Sequence, residues 1–137
     1  MRSGIISVVA AVIRDDSGRV LLVRKRGTSA FMQPGGKRDT GEDDVAALAR
    51  EIDEELGVRM VGGSARSLGE FEADAANEPG FIVKAAVYAV DVSGDIAPQA
   101  EIDEMIWVDP AAPPDLALAP LTRDHVLPLA AAGNRHV

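Results

Sequence analysis

Acidic residues crowd the segment GGKRDTGEDDVAALAREIDEELGV, which runs from Gly35 to Val58. Glu51, Glu54 and Glu55 are three and four positions apart, so on a helix they share one face. Like charges at this spacing destabilise a helix by about 0.2–0.5 kcal/mol per pair. A hard divalent cation that binds carboxylate oxygens would reverse the sign of that interaction, and Mg²⁺ is held this way together with substrate phosphate. The spacing therefore predicts metal-assisted chemistry on an anionic substrate.

Residues near these carboxylates have types that suit the same chemistry. Arg50 lies beside Glu51 and one helical turn before Glu54, so it could hold a carboxylate in one orientation. The pair Gly35–Gly36 lets the backbone approach closely, and the Gly35 carbonyl could supply one more oxygen ligand.

A helix must carry these groups, and the sequence predicts one after Gly36. Thr40 is the predicted N-cap, and acidic residues follow it near the positive end of the helix dipole. Gly57 suits the left-handed residue that ends a helix. An apolar stripe at helical spacing predicts the buried face, and it consists of Val45, Leu48, Ile52 and Leu56.

The glycine, glutamate and arginine spacing resembles the Nudix box, G-x5-E-x7-R-E-U-x-E-E-x-G-U, in which U is a bulky aliphatic residue. Every specified position is filled, by Gly36, Glu42, Arg50, Glu51, Ile52, Glu54, Glu55, Gly57 and Val58. A match at this many fixed positions is far more specific than a lone glycine pattern. The preceding Pro34 and the strand VLLVRKR are also similar to the family.

The resemblance implies hydrolysis of a nucleoside diphosphate linked to another moiety, with Mg²⁺ or alternatively Mn²⁺ bound on the box helix. It makes Glu54 and Glu55 the principal metal ligands, and Glu51 a further ligand or the base for the attacking water. Arg50 would orient a glutamate. Further candidate ligands are the Gly35 carbonyl, Glu42 acting through water, and Glu101, which is slightly favoured over Glu104.

Substrate contacts are predicted around the same segment. Arg24 and Arg26 could bind phosphate, although alternation on a strand lets at most one side of that run face the site. Lys37 and Phe31 complete the predicted substrate-binding set. The stretch AFMQPGG departs from the family, because Phe31 and Gln33 stand where tryptophan and leucine are frequent.

Strand-like and helical segments alternate along the rest of the chain. We expect a hairpin of strands 5–13 and 20–26, further strands at 65–73, 81–92 and 105–108, and a helical segment over 116–132 whose length Pro120 and Pro128 limit. This order favours a mixed α/β sandwich over a doubly wound parallel sheet. With the resemblance, the expected architecture is α/β, a Nudix-like α/β/α sandwich with a mixed central sheet. Residues 1–137 would form a single Nudix-type domain.

Composition limits the function classes. The 137 residues are 47% hydrophobic and carry a net charge of −8, which argues against a nucleic-acid binder. The apolar stretch SGIISVVAAVI is too short to span a bilayer, so we expect a cytoplasmic protein without a membrane partner. The expected partner is a small nucleotide or nucleotide-like diphosphate, and the sequence leaves room for a homodimer.

Three functions remain open at this stage. The first is a metal-dependent hydrolase that cleaves a phosphoanhydride by water attack on phosphorus. The second is a non-catalytic Nudix domain that binds a nucleotide as a sensor, although such a binder has no need of the full glutamate set. The third is an isomerase of prenyl diphosphates on the same scaffold, which in its usual form needs a cysteine that this chain lacks.

Overall fold

The computed structural model describes residues 4–133, so both ends of the predicted domain lie outside the described residues. The elements in chain order are β1 (Gly4–Val12), β2 (Val20–Lys25), β3 (Gly35–Gly36), α1 (Asp44–Leu56), β4 (Arg59–Met60), β5 (Arg66–Asp74), β6 (Phe81–Ala89), β7 (Val92–Ser93), β8 (Ile102–Val108), a π-helical turn (Thr122–Val126) and α2 (Leu127–Gly133).

The largest sheet is mixed and has the strand order β3-β1-β6-β5. Its centre is the parallel pair of β1 and β6, in register from Gly4 opposite Phe81 to Val12 opposite Ala89. The outer strands β3 and β5 both run antiparallel to their neighbours. Two smaller antiparallel ladders join β2 to β8 and β4 to β7.

Two hydrophobic cores form because side chains alternate along β1. Val9 and Ala11 pack with Leu48 and Ile52 of α1. Ala10 and Val12 point the other way, into a cluster that the C-terminal helical segment closes with Leu121, Val126, Leu127 and Ala130. The strands therefore lie between two helical layers, and the expected α/β sandwich with a mixed sheet is confirmed. Among the described residues, no helix is long and apolar enough to cross a membrane.

The predicted hairpin of the first two long strands is wrong beyond its turn. Arg14 and Val20 form an isolated bridge, but β2 then pairs with β8 along its length, and β1 pairs with β6. Arg19 and Asp15 close the turn with a backbone hydrogen bond of 2.9 Å. The turn therefore forms between strands that are adjacent in sequence, whereas the burial of both strands determines which other strands they pair with.

The helix α1 begins later than predicted. Asp43, not Thr40, is the N-cap, and its carboxylate accepts a hydrogen bond from the Ala46 amide at 2.8 Å. Val45 lies in the first turn and is 44% exposed, so the buried stripe starts at Ala47 instead. Gly57 ends the helix at φ 68°, as predicted.

Candidate active site

A cleft of about 450 Å³ opens where α1 meets β3 and the long sheet. Its lining divides into two chemical sets. The charged set consists of Lys25, Lys37, Asp39, Arg50, Glu51, Glu54, Asp74 and Glu78. The apolar set includes Ile6, Val8, Met32, Val83, Ala119 and Leu121. A volume of this size accommodates a small organic ligand, and the two sets suit one with a charged and an apolar part.

The glycine pair brings the sheet and α1 together. Gly35 has φ 149°, and a Cβ there would overlap the carbonyl of Val9 on β1. A Cβ on Gly36 would overlap the carboxylate of Glu51. Position 35 therefore needs glycine for its backbone conformation and close packing, whereas a side chain at position 36 would displace the end of the Glu51 side chain.

Glu55 is buried directly behind this pair. It is 7% exposed, and its Oε1 accepts a hydrogen bond from the Gly35 amide at 3.0 Å. Burial raises the pKa of Glu55 to about 7, and the Gly35 hydrogen bond and Lys25 offset only part of that effect. The carboxyl is therefore poised to gain a proton or a cation near neutral pH.

Glu51 shares the burial but faces the cleft. Its side chain is 14% exposed, and burial raises its pKa, partly offset by the charge of Arg50. Glu54 also lines the cleft and is more open, with a side chain that is 52% exposed. The three glutamates thus occupy one turn of α1 at three different depths.

Arg50 connects the glutamates with the preceding loop. Its Nε and one terminal nitrogen donate to both oxygens of Glu42, at 2.7 and 2.9 Å. It also donates to the Lys37 carbonyl at 2.9 Å and approaches Glu51 at 3.6 Å and Glu54 at 3.4 Å. The Arg50 hydrogen bond is the main reason that the pKa of Glu42 is lowered. Glu42 therefore anchors Arg50 and the loop.

The donor set fits a hard divalent ion in its chemistry, since carboxylate and carbonyl oxygens are what Mg²⁺ binds. Glu55 tests this fit, because its pKa is raised by burial. A nearby cation would compensate the charge of the buried carboxylate. As they stand, however, no three acidic or histidine side chains within residues 4–133 are grouped closely enough to hold an ion. The carboxylates repel one another and take protein partners instead.

Three of the predicted substrate contacts lie away from the cleft. Arg24 pairs with Asp103 at 2.7 Å and with Glu104, and it donates to the Thr28 carbonyl. The Arg26 side chain is exposed and approaches the Ala100 carbonyl at 3.5 Å. Phe31 is 7% exposed because it packs in the second core.

The remaining predicted residues divide between the cleft and its surroundings. Lys37 lines the cleft, as do Gly35, Arg50, Glu51 and Glu54. Glu101 is exposed and lies outside the lining formed by the described residues, and Glu104 is taken by Arg24.

The cleft contains residues that were not predicted. Lys25 lines the cleft, and its neighbours Arg24 and Arg26 do not. Because side chains alternate along a strand, this choice between Lys25 and its neighbours was one of two that the sequence allowed. Gln33 and Thr122 also line it, joined by a hydrogen bond across 89 positions of sequence. The loop 74–78 completes the lining. Only the fold could show these last contacts, because no local pattern connects segments so far apart.

The chain is similar to known proteins in sequence and in structure. The family model described as NUDIX domain matches residues 5–130. The chain is 40% identical over 62 residues to an 8-oxo-dGTP diphosphatase of Haemophilus influenzae, covering 42% of this chain and 46% of that relative. It is 34% identical over 87 residues to nucleoside diphosphate-linked moiety X motif 6 of Xenopus laevis, covering 62% and 38%. The matches span less than half the length of these two relatives.

Solved structures show the same architecture over nearly the whole chain. A MutT protein of Methanosarcina mazei Go1 superposes with a TM-score of 0.77 at 25% identity, covering 99% of both chains. A MutT NUDIX hydrolase of Burkholderia pseudomallei superposes with a TM-score of 0.73 at 25% identity, covering 93% of this chain and 96% of that one.

Proposed function

This chain belongs to the NUDIX domain family, and from that premise we propose that it is a metal-dependent pyrophosphohydrolase. It cleaves a phosphoanhydride bond in a nucleoside diphosphate linked to another moiety, by attack of water on phosphorus. The observation that carries the proposal is Glu55, a carboxyl 7% exposed whose pKa is raised to about 7, on the same helical turn as Glu51 and Glu54, which line the cleft. Strongly perturbed carboxyls clustered at a cleft are typical of catalytic sites.

The proposed ion is held by Glu54 and Glu55, with the Gly35 carbonyl as a further ligand. Mg²⁺ is the preferred ion for this all-oxygen set, and Mn²⁺ is the alternative. When bound, it supplies charge neutralisation for the phosphate oxygens and a lowered pKa for water. Glu51 either joins these ligands or accepts the proton of the attacking water.

The positive residues of the cleft bind and orient the substrate. Lys25 and Lys37 both line it and supply charge for phosphate oxygens. Arg50, held by Glu42, keeps Glu51 and Glu54 on the cleft side of α1. The apolar part of the lining takes the nucleoside. The names of the relatives, a dGTP diphosphatase and a nucleoside diphosphate-linked protein, support a nucleotide substrate.

The test is a screen of nucleoside diphosphate derivatives and nucleoside triphosphates with Mg²⁺, carried out in ¹⁸O-labelled water. Wild type, Glu54→Gln and Asp53→Asn are compared. Asp53 is the matched control, because it is an exposed acid on α1 outside the cleft lining and its substitution removes the same charge. We expect ¹⁸O in the released phosphate product with wild type and Asp53→Asn, and loss of turnover with Glu54→Gln.

Three outcomes would contradict the proposal. Nucleotide binding without turnover of any compound would instead support a sensor domain. Equal turnover by wild type and Glu54→Gln, or turnover unaffected by removal of divalent ions, would exclude the glutamate-held metal from the reaction.

A further inference from the structure

A buried amide in the cleft lining lacks part of its hydrogen bonding. Gln33 is 6% exposed, and its Nε2 atom has no hydrogen-bond partner among residues 4–133. Its Oε1 atom accepts a hydrogen bond of 3.1 Å from the Thr122 hydroxyl, which is itself fully buried. An unpaired buried donor is costly, so its presence in a cleft wall requires an explanation.

Packing alone does not account for this glutamine. The lining also includes Met32, Ala119 and Leu121, so a leucine or methionine at position 33 would suit its surroundings and avoid the unpaired Nε2, although it would give up the Thr122 hydrogen bond. The second core, which Phe31 joins, is built from apolar side chains of that kind.

The backbone fixes Gln33 firmly in the wall. On one side Met32 exchanges two backbone hydrogen bonds of 2.8 Å with Val23. On the other side the Pro34 carbonyl accepts one of 2.9 Å from the Ala11 amide. The amide is therefore held on a rigid support, as a recognition group needs to be.

In the structure the Thr122 hydroxyl donates to Oε1. This arrangement leaves Nε2, which only donates, as the free part of the amide. A donor pairs with a keto oxygen and is repelled by an amino group. Guanine and uracil carry a keto oxygen at the ring position where adenine and cytosine carry an amino group.

We propose that Gln33, oriented by Thr122, reads the nucleobase and selects keto bases over amino bases. This inference rests on the proposed function, since the same cleft takes the nucleotide. The phosphates lie against Lys25 and Lys37, and the base lies against the apolar part of the lining. Nε2 is covered in the free protein, so a side chain of the cleft wall has to shift to admit the keto oxygen.

Calorimetric binding of the four nucleoside monophosphates, with Mg²⁺ present throughout, tests the inference. These ligands contain no phosphoanhydride, so their binding does not depend on hydrolysis. Wild type is compared with Gln33→Met, Thr122→Val and Gln99→Met. Gln99 is the matched control, because it is an exposed glutamine outside the cleft lining.

We expect wild type and Gln99→Met to bind GMP and UMP more tightly than AMP and CMP. Gln33→Met should weaken binding of the keto pair about tenfold and leave the amino pair unchanged, thereby removing the preference. Thr122→Val should reduce the preference while Gln33 remains, because either end of the freed amide can then face the base. Urea unfolding of each variant checks that the fold is retained.

The inference would be overturned if wild type bound no nucleotide or showed no keto preference. It would also be overturned if Gln33→Met kept the wild-type preference, since Gln33 would then only fill space. A keto preference in a protein without turnover would contradict the proposed hydrolase activity and would still support base recognition by Gln33. Turnover without a base preference would do the reverse.

Discussion

The buried carboxyl of Glu55 makes the stability of the metal-free protein depend on pH in an unusual direction. Its pKa rises from an ordinary 4.5 to about 7 on folding, because burial disfavours the charged form. The folded state therefore holds this proton more tightly than the unfolded chain does. The corresponding stabilisation is fully present below pH 4.5 and is lost as the pH rises through about 7.

The size of the effect follows from the two pKa values. A rise from 4.5 to about 7 corresponds to about 3.5 kcal/mol, at about 1.4 kcal/mol per pKa unit. Of this, about 2.5 kcal/mol falls between roughly pH 5 and pH 8. Glu42, whose pKa is lowered, titrates below this window and does not interfere.

The assay is urea unfolding of wild type and Glu55→Gln in the presence of a chelator, across this pH range. Glutamine keeps the acceptor for the Gly35 amide and cannot ionise. The difference in unfolding free energy between the two proteins should shift by about 2.5 kcal/mol towards the variant as pH rises. Taking the difference cancels most of the titration of Glu51. Mg²⁺ added at high pH should restore stability to wild type and not to the variant.

A parallel pH dependence of the two proteins would refute this reasoning, since Glu55 could not then be the carboxyl with the raised pKa. The stability difference could also shift with pH by the predicted amount without any response to Mg²⁺. That result would confirm the raised pKa of Glu55 and exclude Glu55 as a metal ligand.

Other substitutions separate the parts of the site. Gly36→Ala places a methyl group where the Glu51 carboxylate lies, so kcat should fall about 100-fold in steady-state assays while circular dichroism shows a folded protein; unchanged kcat would contradict the crowding. Arg50→Lys loses the paired hydrogen bonds to Glu42, so kcat should fall about 10- to 100-fold. A fall in kcat of less than about twofold would contradict the positioning role of Arg50. Lys25→Met should lower kcat/KM at least about tenfold. Arg24→Met should leave kcat/KM within about twofold and cost under about 1 kcal/mol on unfolding, because its ion pairs are exposed. Equal effects of these two variants would undo the assignment of Lys25 to the cleft.

The box helix could be predicted from sequence because its determinants are local. Leu48, Ile52 and Leu56 recur at helical spacing, and all are fully buried in α1. The start of the helix was harder to predict, because several residues that can cap a helix, Thr40 and Asp43 among them, lie within a few positions of one another. Only the three-dimensional path of the loop decides which carboxylate or hydroxyl reaches a free amide, and here it is Asp43.

Strand partners and remote contacts could not be predicted in the same way. The turn at Asp15 predicts a hairpin of the first two strands. The buried side chains of β2 instead place this strand in the interior, where it pairs with β8. The same limit applies to Gln33, which stands out only as a departure from the family pattern. Its meaning depends on Thr122, which is brought to it by the packing of the C-terminal segment against Phe31.

The depths of the three glutamates indicate how the proposed metal site would change on binding an ion. Glu55 is held by burial and by the Gly35 amide, and Glu51 is mostly buried, with its carboxylate in the space that Gly36 leaves open. Glu54 is half exposed, and its contacts with Arg50 are long, at 3.4 Å. Arg50 has two shorter hydrogen bonds to Glu42. The cost of assembling the ligands therefore falls mainly on Glu54. A site that prearranges its buried ligands and leaves one exposed ligand free can release its ion without unfolding the helix that carries it.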